Sequence, residues 1–446
     1  MPHRRRLTAP QTLALGFALI IFTGGCLLAL PLSSQSGEPL PFLDALFTAA
    51  SATCVTGLVV CDTGTRFTLF GQIVILLLIQ IGGLGFMTFA IAFSMAAKRR
   101  IGLRERAFMM EAVSAGQLAG VVRLARRVLL GTLLIEGAGA LLFSLRFVPA
   151  YGLARGLWYG LFHAVSAFCN AGFDLLGAEH EVYCSFVPHA DDPVVLLTAA
   201  ALILLGGIGF LVWDDWVEHR WKWKDYSLHS RVVLLSSVLL TAGSTLLFLL
   251  LERDTVFAQM PLPTRLVHAF FQAVTPRTAG FNAIDLTALS EGGALLTMLL
   301  MLVGASTGST GGGLKITTVV VLLAATAAHM RGREDVELGR RRIPHEVVYK
   351  AFCNTGWFLS FLLAVVFTLS ALQPAIPLKD LFFECISAIA TVGLSTGITR
   401  QLLPLSKALL ILLMYSGRVG SMTVFMAVTK KKRGKLRYPE EQIIIG

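Results

Sequence analysis

Four glycines end four copies of one short pattern. The copies read FTAASATCVTGL (Phe47–Leu58), FHAVSAFCNAGF (Phe162–Phe173), FFQAVTPRTAGF (Phe270–Phe281) and FECISAIATVGL (Phe383–Leu394), and they align without a gap. Phe stands ten residues before the Gly in all four, and Ser six before it in three. The glycines are Gly57, Gly172, Gly280 and Gly393, spaced by 115, 108 and 113 residues. They close the tripeptides Val55-Thr56-Gly57, Asn170-Ala171-Gly172, Thr278-Ala279-Gly280 and Thr391-Val392-Gly393, each followed by an apolar residue. The chemistry such a pattern offers is that of backbone carbonyls. A ring of them can replace the hydration shell of a cation. Carbonyls that all point at one axis need alternating backbone conformations, some with φ > 0, which Gly adopts without steric penalty. A short helix before each Gly would aim its partly negative C-terminus at the cation. The tripeptides resemble the potassium-channel filter TVGYG without its Tyr-Gly half, which implies a shorter and less selective site.

A second cluster of glycines interrupts the apolar run that follows the third copy. It reads VGASTGSTGGGLKITT from Val303 to Thr318, with Gly304, Gly308, Gly311, Gly312 and Gly313 inside it. Each Gly weakens a helix interior by ~1 kcal/mol relative to Ala, so a regular helix is not expected here. The freed backbone groups need partners or water. A broken helix beneath a filter is a candidate movable gate. Gly308 and Gly313 have the spacing of a nucleotide-binding loop, but Leu314-Lys315-Ile316-Thr317 follows instead of a contiguous Lys-Ser/Thr pair, and a span precedes it instead of a strand. A glycine-rich packing stretch between helices is the plainer alternative. Two cations lie at membrane depth nearby, Lys315 and Arg418, the latter in MYSGRVGSM (Met414–Met422). An unpaired Arg at the bilayer centre costs ~2.5–3.5 kcal/mol on insertion scales. Arg418 should therefore face a pore as an electrostatic barrier, or else pair with a membrane carboxylate such as Glu136.

These residues must be positioned by membrane-spanning elements. Only 15% of the 446 residues are charged while 55% are apolar, and the mean hydropathy is +0.71. A soluble enzyme needs more polar surface, and a disordered or nucleic-acid-binding chain would be less apolar. Runs long enough to span occur near 11–32, 68–97, 128–149, 194–217, 232–251, 293–329, 352–373 and 404–429. Shorter segments at 42–58, 157–173, 264–281 and 380–394 read as re-entrant loops. The expected fold is thus an all-α polytopic membrane protein of eight transmembrane helices. Four pseudo-symmetric span–pore loop–span repeats, 11–97, 98–217 with a linker, 232–330 and 350–430, surround a central ion pore, and a tail follows at 431–446. The run at 11–32 has no convincing cleavage site, so it reads as a helix rather than a signal peptide. Basic residues number three at the N-terminus, eight in 98–127, four in 213–231, six in 330–350 and six in 430–437, together 27 of 38. Such a bias predicts a cell-membrane protein with both termini cytoplasmic and the pore loops facing out. It accounts for most of the net charge of +11, with contacts to acidic lipid heads as a further use. The seven cysteines (Cys26, Cys54, Cys61, Cys169, Cys184, Cys353, Cys385) form no CxxC pair and read as small buried hydrophobes.

The four-fold pattern, TPRTAGFN (Thr275–Asn282), ATVGLSTG (Ala390–Gly397) and the glycine run together resemble the Trk/Ktr/HKT potassium transporters over nearly the whole chain. The tail YPEEQIIIG (Tyr438–Gly446), and the start of the first span close to the N-terminus with no added hairpin, resemble the KtrB-type membrane subunit. That resemblance implies potassium at the filter carbonyls, because Gly at all four filter positions goes with potassium selectivity in the family and Ser in the first with sodium transport. It also implies that 304–313 obstructs the pore and that Arg418 matches an Arg of the last helix. It further implies a homodimer under the control of a cytosolic nucleotide-binding ring of RCK/KtrA type. No nucleotide fingerprint occurs in this chain, so any nucleotide would bind the separate subunit.

Lesser expectations complete the reading. Arg277 should brace the filter by pairing with Asp285 or Glu384. Asp62, Asp174 and Asp285 follow their glycines closely and either concentrate cations at an outer mouth or sit in ordinary solvated loops. The group Glu179, His180, Glu181, His189, Asp191 and Asp192 reads as a solvated turret, with metal binding as the alternative. Trp213, Trp216, Trp221 and Trp223 read as an interfacial belt. An alternating-access carrier would show inverted halves and several broken helices, whereas one span reads as broken here. A membrane enzyme finds no His/Asp/Glu constellation at consistent depth in the spans and no HExxH. A sodium-permeable member of the family remains a third reading.

Overall fold

The computed structural model describes residues 8–85, 121–420 and 441. The end of the run 68–97, most of the loop 98–127, the end of the run 404–429 and nearly all of the tail lie outside the described residues. Among the described residues four helices are long and apolar enough to cross a membrane. They are α1 (Ala9–Leu28), α4 (Val121–Tyr151), α8 (Leu228–Leu251) and α12 (His345–Leu372). Each is followed by a shorter helix that ends at one of the glycine loops: α2 (Phe42–Thr53), α5 (Leu153–Phe168), α9 (Leu262–Val274) and α13 (Leu378–Ala390). Three of these four start just after a Pro at the N-cap, Pro41, Pro261 and Pro377. Proline fixes φ near the helical value and has no N–H to leave unsatisfied, so the chain can turn back sharply there.

The third helix of each set runs on from the glycine loop. In the first set it is α3 (Leu69–Leu84), in the second α6 (Pro193–Gly207) with α7 (Phe210–His219), in the third α10 (Glu291–Leu302) with α11 (Ile316–Met330), and in the fourth α14 (Pro404–Val419). Hydropathy read one broken span. Among the described residues there are two, because α6 and α7 meet at 90° in the middle of the run 194–217. The bend is made at Gly209, whose φ of 95° is open to glycine and disfavoured for other residues.

The three-helix sets close on one another. Each short helix packs against its own long one, as α2 on α1, α5 on α4, α9 on α8 and α13 on α12. Each also receives the third helix of the preceding set: α3 meets α5, α6 meets α9, α10 meets α13, and α14 returns to α2. Burial follows this arrangement. Phe47, Phe162, Phe173, Phe271 and Phe281 are almost wholly enclosed near the centre, and Phe186 stacks on Phe281 with ring centroids 4.7 Å apart. Leu133, Leu134, Leu141, Leu239, Leu250 and Phe367 stand more than half exposed on the long outer helices. Apolar side chains on that scale at the rim of a helical assembly match a hydrocarbon surround. The only strands among the described residues are a two-residue hairpin, Glu337–Leu338 with Arg341–Arg342.

Candidate functional site

The four glycine loops meet in a closed ring, in chain order. A Cβ added to Gly57 would lie 2.6 Å from the carbonyl oxygen of Ala171, and one on Gly172 would lie 2.7 Å from that of Ala279. One on Gly280 would lie 2.2 Å from that of Val392, and one on Gly393 would lie 2.2 Å from that of Thr56. No side chain fits at any of the four positions unless a neighbouring loop moves. The backbone alternates as a carbonyl ring requires. The first residue of each tripeptide has positive φ (Val55 49°, Asn170 58°, Thr278 74°, Thr391 53°), and so has the glycine (Gly57 89°, Gly172 69°, Gly280 80°, Gly393 95°). The middle residues Thr56, Ala171, Ala279 and Val392 do not. A left-handed β-branched Val or Thr is strained by about 1–3 kcal/mol and persists only where its surroundings dictate it.

Hydroxyl groups hold this backbone. Ser51 Oγ accepts from the amide of Gly57 at 3.1 Å and Ser387 Oγ from that of Gly393 at 3.0 Å. Ser166 Oγ accepts from the Phe173 amide at 3.0 Å and donates to the Phe173 carbonyl at 2.7 Å. The third copy has Val274 in the Ser position, and Thr275 Oγ1, one residue later, donates to the Phe281 carbonyl at 2.7 Å. Asn170 and Thr278 pair through their side chains at 3.0 Å, which joins the second loop to the third. The repeated Ser was visible in the sequence. Its role was not, since it depends on an amide six or seven residues away.

A cavity of about 120 Å³ lies over the ring, floored by the four glycines and walled in part by Asp62, Asp174, Tyr183 and Arg400. Asp62 accepts from the amides of Thr65 and Tyr183 at 2.9 and 3.0 Å. Asp174 accepts from the Leu176 amide at 3.1 Å. Burial, reinforced by the neighbouring Asp62 charge, pushes the Asp174 carboxyl up to about 7. Arg400 lies over the Tyr183 ring, 4.0 Å from its centroid. For Asp285 the solvated-loop alternative holds: it is exposed, caps the turn Leu286–Ala288 through the Thr287 amide, and is not among the mouth residues.

On the other side of the ring lies the glycine-rich loop between α10 and α11. Its neck is closed by the Gly304 amide on the Leu314 carbonyl at 2.8 Å. A Cβ on Gly311 would meet Thr278 Oγ1 at 2.2 Å, and one on Gly312 would meet Thr391 Oγ1 at 2.3 Å, so the loop lies directly against two of the tripeptides. Gly313 has positive φ and backs on the Ala390 carbonyl, and Gly308 accepts from the Phe210 amide at 2.8 Å. Lys315 Nζ donates to the carbonyls of Gly311 and Gly312 at 2.6 and 3.4 Å. Arg418 donates to the carbonyls of Thr310 in this loop and of Gly82 and Gly83 at the end of α3, the last at 2.9 Å. Arg418 does not pair with Glu136, which accepts from Gln80 at 3.0 Å. Sequence reasoning singled out Arg418, Lys315 and the glycines separately; the structure brings them into one cluster.

One expectation fails. Arg277 donates to Thr241 Oγ1 at 3.0 Å and Ser237 Oγ at 3.1 Å on α8, and it pairs with neither Asp285 nor Glu384. Glu384 instead accepts from Ser395 at 2.8 Å and from Thr399, bracing the chain after the fourth loop. The outer acidic and histidine group is dispersed among other partners: Glu179 on Arg155, Asp192 on Arg146, and His180 and His189 both on the Tyr151 hydroxyl.

One repeat escaped sequence reasoning. The inner helices carry Gly82-x-x-Gly85, Gly206-x-x-Gly209 and Gly417-x-x-Gly420. The first Gly of each lies where a Cβ would strike the carbonyl oxygen at the end of the adjoining short helix, at 2.0 Å from Thr53, 1.9 Å from Phe168 and 1.9 Å from Ile389. The second has φ of 80°, 95° and 93° and ends the helix. The spacing itself was the available signal.

The profile of the TrkH family, described as a cation transport protein, matches residues 14–436. The Ktr system potassium uptake protein B of Bacillus subtilis is 41% identical over 443 residues, covering 99% of this chain and 97% of its own. The potassium/sodium uptake protein NtpJ of Enterococcus hirae is 41% identical over 451 residues, covering 99% and 98%. The solved potassium transporter TrkH of Vibrio parahaemolyticus shares the fold with a TM-score of 0.75 at 18% identity, over 96% of this chain and 87% of that one. Members of this family move ions across membranes and are not enzymes. With its apolar helices and its ring of glycine loops, this multi-pass membrane chain belongs to the TrkH cation-transport family.

Proposed function

We propose that the chain takes up potassium across the cell membrane through a pore whose selectivity filter is the glycine ring. The observation that carries this is the closed contact order Gly57–Gly172–Gly280–Gly393, with the carbonyls of Thr56, Ala171, Ala279 and Val392 each beside the next loop's glycine. Potassium would bind the carbonyls of the four tripeptides as transported substrate. The layout is four span–pore loop–span repeats, eight spans in all with α6–α7 and α10–α11 as broken ones. Both termini lie in the cytoplasm and the Asp62–Asp174 mouth faces out. Loop 304–313 is the gate, with Lys315 and Arg418 fastening it beneath the filter. Relatives named as belonging to a Ktr system support a partner subunit. That partner is proposed as a cytosolic nucleotide-binding ring and the chain as a homodimer in the membrane, with any nucleotide bound by the partner.

The test is rubidium or potassium uptake by vesicles bearing Gly57→Ser. The added side chain enters the ring at a residue with φ of 89°. Potassium uptake should fall about tenfold or more, with sodium competing better, since a filter distortion worth 1.4 kcal/mol is already a factor of ten. Unchanged uptake and selectivity would remove the ring from the mechanism. A sodium-permeable pore is the second reading, favoured by the equal identity to a potassium/sodium uptake protein. Sodium uptake by the unaltered protein at a rate near that of potassium would select it.

A further inference from the structure

Helix α7 lies at 90° to α6 and has an apolar cleft on each flank. Toward α8 a cleft of about 270 Å³ is walled by Ile208, Val212, Trp213, Trp216, Trp223 and Leu234. Toward α4 a second, of about 230 Å³, is walled by Val128, Leu134, Ile135, Leu205, Trp213 and Trp216, with the Arg127–Asp214 ion pair also in its lining. Trp213 and Trp216 line both, so the two clefts straddle one helix and share one ridge. The turn after α7 reads Arg220-Trp221-Lys222-Trp223-Lys224, and Trp221 is 89% exposed. The acidic residues of α7 are engaged elsewhere. Asp214 and Glu218 hold Arg127, and Asp215 accepts from Ser227 and Ser230. Arg220, Lys222 and Lys224 are therefore opposed in this turn by Asp225 alone. Two apolar slots under a cationic, tryptophan-bearing rim match the chemistry of a two-chain lipid with an anionic head.

We infer that the clefts astride α7 seat the two acyl chains of an anionic phospholipid whose head is held by Arg220, Lys222 and Lys224, and that this lipid steadies loop 304–313. The connection to the loop is short. Phe210, the first residue of α7, donates its amide to Gly308 at 2.8 Å, and a Cβ on Gly209 would lie 2.9 Å from the Thr307 carbonyl. A lipid that fixes α7 therefore fixes the loop against Thr278 and Thr391. The seat itself does not depend on what the protein transports. The effect on the loop rests on the reading of that loop as a gate.

The experiment separates the two. In a Trp158→Phe/Trp357→Phe background the four remaining tryptophans are those around α7. The full-length chain is placed in vesicles containing brominated phosphatidylglycerol or brominated phosphatidylcholine, and tryptophan quenching is read as each is titrated. Quenching should occur at lower mole fraction with the anionic lipid. Lys222→Gln/Lys224→Gln should remove about 30-fold of that preference, as expected for two surface lysines. Equal quenching by both lipids, or a preference unchanged in the double variant, overturns the seat, and the second result would assign the rim to a protein partner. Potassium uptake is measured in the same vesicles without bromine. It should rise several-fold when phosphatidylglycerol is omitted, and the double variant in anionic vesicles should match that higher rate. Selective quenching with uptake indifferent to lipid overturns the link to the loop. A chain that quenches selectively but carries no potassium in any lipid keeps the seat and overturns the proposed function.

Discussion

A carbonyl can replace water around a cation only while its own peptide units are held rigidly, and here hydroxyl groups do the holding. Ser387 satisfies the Gly393 amide within a buried loop. Ser387→Ala leaves that N–H without a partner, at a cost of ~1–3 kcal/mol. The variant should melt earlier in detergent and discriminate potassium from rubidium or sodium less well. Unchanged melting would show that the amide finds another acceptor. The mouth carries a second residue-scale expectation. Asp174, raised to about 7 by burial and by Asp62, is charged above that pH and neutral below it. Cation capture at the mouth should therefore weaken as the outside pH falls from 8 to 6, and Asp174→Asn should flatten that dependence. The sign for stability is the reverse. A carboxyl whose folded pKa is raised holds a proton that the unfolded chain has released, so stability declines as pH rises from about 4 to about 7 and is lowest above it. A profile of uptake that keeps its slope in Asp174→Asn assigns the titration elsewhere. Neither role was legible from residue type alone. The Ser and Asp positions stood out by spacing, but the atoms they satisfy are backbone amides that only the folded loop brings near.

At the scale of elements, hydropathy found the helices and missed where they stop. LLGGIGFLV reads as continuous apolar sequence, yet Gly209 turns it through a right angle because its φ of 95° excludes a helix. The break at 303–315 was legible because five glycines crowd into it; Gly206, Gly207 and Gly209 are fewer and lie in apolar company. Gly209→Ala should be disfavoured by about 1–3 kcal/mol of backbone strain. It also pushes a methyl group toward the Thr307 carbonyl. The expected outcome is lower thermal stability together with a loosened loop. Normal melting with normal transport would show that α6 and α7 tolerate a continuous helix. Arg418 is the complementary case. Arg418 stood out in the sequence as an intramembrane cation, whereas its partners, carbonyls from the first and third sets, did not, because they come from 335, 336 and 108 residues away. Arg418→Gln keeps a donor of similar shape but loses the charge and the fork. Loop 304–313 should then be held less firmly and potassium leak should increase several-fold in vesicle flux. A flux unchanged from the parent would mean that Lys315 and the backbone bonds hold the loop by themselves.

For the molecule as a whole, four loosely similar sets enclose one ring, and this explains why so little of the sequence needed to match for the arrangement to be read. The shared glycines are those in contact around the ring, where any side chain collides with a carbonyl. The outer helices need only be apolar, and they differ in length, with 20 residues in α1 and 28 in α12. What the sequence withheld was cross-set pairing, such as Arg277 with Ser237 and Thr241, since any nearby carboxylate was an equally good candidate until α8 was seen beside it. The proposed orientation in the membrane rests on charge, with 27 of 38 basic residues in alternate segments. On that proposal Glu181, in the loop beyond the mouth, and Lys222, beyond α7, lie on opposite faces, with the bent pair α6–α7 as the one span between them. In a chain whose native cysteines are replaced, Glu181→Cys should react with an impermeant maleimide added outside intact cells. Lys222→Cys should react only after the membrane is opened. Labelling of both from outside would contradict a span between them, and the reverse order would turn the mouth inward and make the basic segments external. That second result would be incompatible with uptake through the mouth, since Asp62 and Asp174 would then face the compartment the cation is meant to enter.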